Sequence, residues 1–578
     1  MPKRIWRWVA LTVPVTYFLL RASGSPAQVP LLPDGLSDKE IEAADNSNFI
    51  FAALHSNLKA WHQAYAPDGR AIVPATIKAG TLLYHAGFNP IGMDWFAIDA
   101  EHSYGFGGGG GQATSQSGRR SMLYTYAATR PLRAVYFDGF SAAKQSGGAL
   151  ELQDMLIGLD SKAQEKIRGN PDGERGRLLC EWGKQYGIQG FVREEATFEL
   201  LWCDFEDGVE LLSVTNITIP ANTNPEDKLG EEPPRGPGGP GGGPPGRGGI
   251  STPYRAASRW WWYKATAWHH TAPDTRVVLH PAYTVTLYDP KYKSLTENNK
   301  LPRREHRLGD LSADDEAVFR TELVEAMKAW TKDDSRGEGS GVDWSSIAHG
   351  IVERNGDRIA ELHTLLSKVN ATSNITEVVS TARLIAFGLI LPYVDHAAVF
   401  EPEITASDRS AALSAVSTKC SLAFTGHIDA PRYRLTPQEQ RLKQAAEGVL
   451  GKICGFATHT FDESLNLLDA LAGETDLTIA QAQASRAVNL WRGGVEKLMD
   501  WLGWAMWQRC PEICDWDEVC YLPMWPINLD RRSRGPGGDG RGGAGGGGPP
   551  DDPPPDIMPP PVEDDQPLIP RCAKREAF

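Results

Sequence analysis

"AGTLLYHAGFNPIGMDWFAIDAEHSYGF", residues 79–106, decides how the N-terminal half is read. An apolar run that starts beside Gly80 ends on His85. An aromatic segment with Trp95 and Phe96 follows, and it leads to His102, Tyr104 and Phe106. Branched and aromatic residues bounded by Gly or Asp mark "GTLLYHA" as a strand, and "LRAVYFDG" and "ATFELLWCDF" carry the same signature. Upstream, "NSNFIFAALHSNLKAWHQAYA" (46–66) sets Phe51, Leu54, Leu58 and Trp61 on one helical stripe. "QDMLIGLD" and "RGRLLCEWGKQYG" also have helical patterns, the second closing at Gly187 as a C-cap. Short strands mixed with helices predict an α+β domain over 45–225.

Two Gly/Pro-rich segments punctuate the rest. "EEPPRGPGGPGGGPPGRGG" (231–249) lies at the centre of a linker over 226–252, and a Gly/Pro-rich, acidic tail spans 531–578. Neither holds enough apolar side chains to repay the entropy of ordering, so both are expected to be disordered. Between them, 253–530 reads as a mainly helical domain with a tryptophan-rich strand segment at its start. In "SRWWWYKATAWHHTAPDTRVVLHPAYTVTLYDP" (258–290) two or three strands are expected. Adjacent tryptophans on a strand would alternate between faces, so a sugar-stacking platform competes with plain core. If these strands rejoin the first domain, the linker is an insertion. From 311 to 510 apolar residues recur at three- and four-residue spacing. Thr436, Pro437 and Glu439 form a helix start of capping-box type, and Trp501, Trp504 and Trp507 form a stripe expected in the core.

At 578 residues the chain exceeds one ordinary domain. Its formal net charge of −14, without a basic cluster, excludes nucleic acid as a partner. Lys3, Arg4 and Arg7, the apolar run Trp8 to Leu20, and small residues to Ala27 predict a signal peptide over 1–27. "LIAFGLILPYV" (384–394) is apolar but short, and reads as a buried helix end rather than a membrane span. Sequons at Asn216, Asn370 and Asn374 and an even count of eight cysteines agree with a secreted, disulfide-bonded glycoprotein. Eight cysteines allow 105 pairings, so connectivity stays open. No metal site is expected, because the Cys510, Cys514, Cys520 group has no histidine nearby.

Read in order, "GTLLYHAG", "DWFAIDAEHSYGF", "LYTYAATRPLRAVYFDG" (123–139) and "YGIQGFVREEATFELLWCDFEDGVEL" (186–211) resemble the ADP-ribosyltransferase superfamily, in its His-Tyr-Glu branch. The resemblance covers roughly 75–215. It implies an ADP-ribosyltransferase-like fold and NAD as substrate. His85 matches the first-strand histidine that contacts a ribose of NAD, and Tyr104 the aromatic against nicotinamide. Trp95 and Phe96 would line the pocket wall. Glu199 matches the catalytic glutamate, with Glu194 and Glu195 as alternatives. Ala86 stands where the family commonly has glycine. A carboxylate there would stabilise the oxocarbenium-like charge that develops when the nicotinamide–ribose bond breaks. His102 is expected at the surface or behind the pocket wall.

Two functions follow as expectations. One is an enzyme that transfers ADP-ribose from NAD to a protein acceptor, or to water as an NAD glycohydrolase. The other is a non-catalytic secreted protein that binds a protein or glycan partner.

Overall fold

The computed structural model describes residues 46–87, 90–108, 121–143, 149–159, 171–218, 253–332, 339–401, 403–473, 477–525, 527, 529 and 568–578. All belong to one unit running from Asp45 to Phe578. The expected signal peptide, linker and most of the tail lie outside the described residues. The chain is α+β, sheet-rich toward the N-terminus and helical toward the C-terminus.

Two helices open it, α1 (Ser47–Ser56) and α2 (Ala60–Tyr65). The stripe from Phe51 to Trp61 predicted one continuous helix. It breaks at Asn57 and Leu58: Asn57 has an extended ψ of 127°, and Leu58 a left-handed φ of 60° that cannot continue a helix. Eight strands follow: β1 (Ala71–Ile77), β2 (Leu82–Gly87), β3 (Asp94–Ala97), β4 (Met122–Ala128), β5 (Leu132–Phe137), β6 (Gly190–Glu194), β7 (Phe198–Trp202) and β8 (Val209–Asn216). Helix α3 (Ala100–Gly108) leaves β3, while α4 (Glu151–Ile157) and α5 (Pro171–Lys184) lie between β5 and β6. That excursion is what allows β5 and β6 to pair in parallel. The other pairs in the sheet are antiparallel.

After 252 the chain forms α6 (Pro253–Thr266), not the expected tryptophan-rich strand. Three- and four-residue spacing explains the choice. Trp260 and Tyr263 turn inward against Phe578, and Trp261 turns out with 54% exposure. Adjacent aromatics satisfy a helix as well as a strand when one face is buried. Strands β9 (Val277–Leu279) and β10 (Val285–Thr286) then return to pair with β1. The sheet order is therefore β10-β1-β5-β6-β7-β3-β2-β4-β8, with β9 also on β1.

Helix α7 (Ala313–Lys332) packs on the sheet, its Phe319, Leu323 and Met327 joining Ile72, Val135 and Phe191. The remaining helices form a bundle: α8 (Trp344–Ser367), α9 (Ile375–Ile390), α10 (His396–Phe400), α11 (Ala406–Ser421), α12 (Pro437–Ala472) and α13 (Leu477–Leu502). Its core takes Ile351, Ile359, Val449, Ile453, Val488 and Val495, together with Ile50, Phe51 and Leu54 from α1. The first helix thus belongs to the bundle core, although it precedes the sheet in the chain. Trp501 lies at the end of α13, and Trp504 and Trp507 lie beyond it, stacked at 5.5 Å. Strands β11 (Glu518–Tyr521) and β12 (Arg571–Lys574) form a small separate ribbon. Disulfides join Cys180 to Cys203, Cys420 to Cys454, Cys510 to Cys520, and Cys514 to Cys572.

Candidate functional site

His85 sits near the end of β2, where its Nδ1 donates to the Trp95 carbonyl at 2.8 Å. Its ring packs against Tyr124 and Phe205. Pairing fixes which way it faces. Tyr84 is opposite Ala97, Ala97 is opposite Glu199, and Glu199 is opposite Arg193. Paired residues share a face and neighbours along a strand alternate. Glu199, Arg193 and Trp95 therefore lie on one face of the sheet, and His85 and Phe96 on the other. Phe96 is core, 1% exposed, in contact with Phe205 and Tyr126. Trp95 and Phe96 do not share a pocket wall.

Glu199 is engaged elsewhere. Its Oε1 accepts from Arg193 Nε at 2.9 Å, and Arg193 reaches Asp172 Oδ1 at 2.9 Å. The guanidinium also covers the Trp95 ring at 4.0 Å. Burial opposes the charge on Arg193, but Glu199 and Asp172 outweigh it and hold its pKa above the ordinary value. This is a buried ion-pair network joining β6, β7 and α5.

Tyr104 is half-buried on α3, a helix that packs against β2 and α6. Its neighbour His102, expected near the surface, is fully buried. His102 Nε2 lies 2.9 Å from Glu195 Oε1, and its ring stacks on Trp262 at 4.7 Å. Glu194 shares the face of His85 but is sealed in the core, accepting from Tyr136 Oη at 2.9 Å. Burial pushes its carboxyl well above the usual range. The structure does not bring His85 and Glu199 together.

A different place has the form of a site. Between the β1–β9 side of the sheet and α8 lies a cleft of about 1190 Å³. Lys59, Lys78, Arg133, His55, His280 and His349 line it. Lys78 Nζ donates to the Thr275 carbonyl at 3.0 Å, and Arg133 Nη2 donates to that of Thr331 at 3.3 Å. Among the described residues, neither of these cations nor Lys59 is ion-paired with a carboxylate. The acids at the cleft are occupied. Asp274 holds Arg276 at 2.7 Å, and Asp343 caps α8 through Ser346 N at 2.9 Å.

Lys59 is the buried member of the three cations. It follows Leu58, the one non-glycine residue with positive φ among the described residues. A buried branched residue in that conformation is strained, and such strain gathers at functional positions. The Leu58 N–H is held by Tyr136 Oη at 3.4 Å. Lys59 Nζ lies 2.9 Å from His55 Nε2. Burial lowers the Lys59 pKa to about 8, with Glu353 pulling the other way. Burial, then Lys59, His62 and His349, push His55 well below its ordinary value, so His55 is neutral and accepts from the ammonium. Sequence reasoning missed this site because its walls come from residues far apart in the chain.

The sulfurs of Cys510, Cys514 and Cys520 lie close together, but each is committed to a disulfide.

Residues 39–121 and 108–225 match the family described as the YPL277C N-terminal domain. The chain is 34% identical over 218 residues to the uncharacterized protein YPL277C of Saccharomyces cerevisiae, a match covering 30% of this chain and 44% of the relative. It is similarly 34% identical over 218 residues to the uncharacterized protein YOR389W of the same yeast, covering 30% of this chain and 34% of that one. The chain spans less than half the length of these relatives. No solved structure matches it. The family match ends at residue 225, so it takes in β1 through β8 and stops before β9, which walls the cleft.

Proposed function

We propose that the protein is a secreted, disulfide-bonded glycoprotein that binds an anionic small molecule in the cleft between sheet and bundle. One observation carries this reading: Lys59, Lys78 and Arg133 line one cavity without a carboxylate paired to any of them. In a chain of formal charge −14, three cations on one cleft, Lys59 buried and Lys78 and Arg133 exposed, favour an anion by direct attraction. Secretion is supported by the leader-like N-terminus and by four disulfides, which persist in oxidising compartments. The sequon asparagines Asn216, Asn370 and Asn374 are all exposed, as glycan attachment requires.

Transfer of ADP-ribose from NAD remains the second reading, supported by the order of the segments around His85 and Glu199. Geometry favours it less, since those two residues face opposite sides of the sheet. An ADP-ribosyltransferase-like fold for 45–225 is part of the same proposal.

Calorimetric titration with inorganic pyrophosphate tests the binding reading. Binding should weaken at least about tenfold in Lys78→Ala/Arg133→Ala and fall with added salt, as screened attraction does. The reading is overturned if pyrophosphate does not bind while the protein releases nicotinamide from NAD and Glu199→Gln abolishes that release.

A further inference from the structure

We propose that Lys59 is a covalent capture site, its amine condensing with the carbonyl group of an anionic aldehyde or ketone held in the cleft. The proposal rests on the anion-binding reading above and deepens it by naming the ligand's second functional group.

Three features set Lys59 apart from a lysine that merely binds charge. It is buried, yet it lines a cavity large enough for a small ligand. Its Nζ meets a neutral imidazole nitrogen, His55 Nε2 at 2.9 Å, rather than a carboxylate. The left-handed Leu58 directly before it, braced by Tyr136 Oη, holds the turn from which its side chain leaves. A lysine needed only for packing or solubility requires none of these, and strain of this kind is retained where geometry matters.

The surroundings keep the amine reactive. His55 and His62 face it from the two helices it joins, Glu353 acts on it from α8, and His349 of α8 acts on its neighbour His55. Asp274, at the cleft wall, is occupied by Arg276. Glu353 is the carboxylate that favours the ammonium, and burial outweighs it. An amine of pKa about 8 is neutral in roughly a tenth of molecules at pH 7, against fewer than about one in a thousand for an ordinary lysine. Neutral amines are the nucleophiles of Schiff-base chemistry.

The step balances without an outside oxidant or reductant. The Nζ lone pair forms a C–N bond to the carbonyl carbon, and the C=O π pair moves to oxygen. That oxygen takes up the proton released by nitrogen. The second N–H proton then leaves as the C=N bond forms and the hydroxyl departs, so the products are the imine and one water. His55 Nε2, 2.9 Å from Nζ, is placed to receive a proton from nitrogen in passing. Lys78 and Arg133 on the same cleft hold the ligand's anionic group.

Pyridoxal 5′-phosphate, an aldehyde with a phosphate, is the probe. The full-length protein is incubated with it at pH 7, reduced with borohydride and peptide-mapped by mass. Pyridoxine 5′-phosphate, which has the same phosphate and no aldehyde, is titrated in parallel. Lys59 should be modified at least about tenfold faster than the exposed Lys300. Its rate should level off above pH 8, and Lys59→Arg, folded by near-ultraviolet circular dichroism, should lose that adduct alone. A Lys59 rate no greater than that of Lys300, with pyridoxine 5′-phosphate still bound, overturns covalent capture and leaves anion binding standing. Failure of both probes removes both readings.

Discussion

His102 Nε2 lies 2.9 Å from Glu195 Oε1, and both side chains are buried, 0% and 4% exposed. The other ring nitrogen, Nδ1, meets Thr197 Oγ1 at 2.5 Å. One imidazole thus ties α3 to the turn between β6 and β7, with Trp262 of α6 stacked on it. His102→Ala leaves a buried carboxylate short of a partner and opens a void beside the indole. The expected cost is about 3 kcal/mol, read as a lower urea midpoint. His102→Phe should restore the stacking but not the hydrogen bonds, and should recover less than half of the loss. An unchanged midpoint in His102→Ala would mean that the contact is incidental.

Acid should unfold this protein early. Burial lowers the pKa of His62 to about 3, of His270 to about 3 and of His306 to about 4, all from an ordinary 6.5. These histidines remain neutral in the folded chain while the unfolded chain binds protons below 6.5. Stability from keeping them neutral is therefore complete above pH 6.5 and is lost as pH falls toward 4 and then 3. Lys59 acts in the same sense higher up, between about 8 and 10.5, where its folded-state penalty is relieved as pH rises. Unfolding near pH 4.5 should take up close to three protons from this trio, and His62→Gln should remove about one. A urea midpoint that stays flat from pH 6.5 to 4.5 would refute this.

Much of the sheet was legible in short segments. "GTLLYHA" covers β2 up to its last residue, and "LRAVYFDG" and "ATFELLWCDF" contain β5 and β7, because branched and aromatic residues between glycines or acids leave few other options. Thr436 and Glu439 announced the start of α12, since capping is local chemistry. The tryptophan run misled because aromatic residues bury equally well on either period, and the partners that bury them here, Trp61, Tyr521 and Phe578 among them, lie far along the chain. Which faces His85 and Glu199 take depends on strand register, a non-local property that one-residue slips invert. The cleft was illegible for the same reason. Its cations come from the α1–α2 turn, the β1–β2 turn and β5, and its far wall from α8.

The Cys514–Cys572 disulfide holds the last described residues to the rest. It closes a separation of 58 residues and lies beside the β11–β12 pairing, where Cys520 stands opposite Cys572. Phe578, 3% exposed, packs on Trp260 and Tyr263. Losing the bond frees loop entropy worth about 4 kcal/mol in the chain-entropy account. In Cys514→Ala/Cys572→Ala, trypsin should release the C-terminal segment at a concentration that leaves the parent intact. Equal resistance would mean that packing by Phe578 suffices without the bond.

Glu439 closes the capping box at the start of α12 and also serves the neighbouring helix. Its Oε2 accepts from Thr436 N at 2.8 Å, and its Oε1 from Trp344 Nε1 at 3.1 Å and from the Ser340 hydroxyl. Thr436 Oγ1 in turn accepts from Glu439 N at 3.1 Å and donates to the Ala282 carbonyl at 2.6 Å, which binds α12 to the segment between β9 and β10. Thr436→Ala should cost about 1–2 kcal/mol, the usual worth of a cap. Glu439→Ala should cost more, about 3 kcal/mol, because it strands the buried indole N–H and the serine hydroxyl as well. The two changes break one reciprocal motif, so the double variant should lose less than the sum of the singles in urea unfolding. Simple additivity would show that the residues stabilise the helix independently, and that Glu439 acts through Trp344 rather than through the cap.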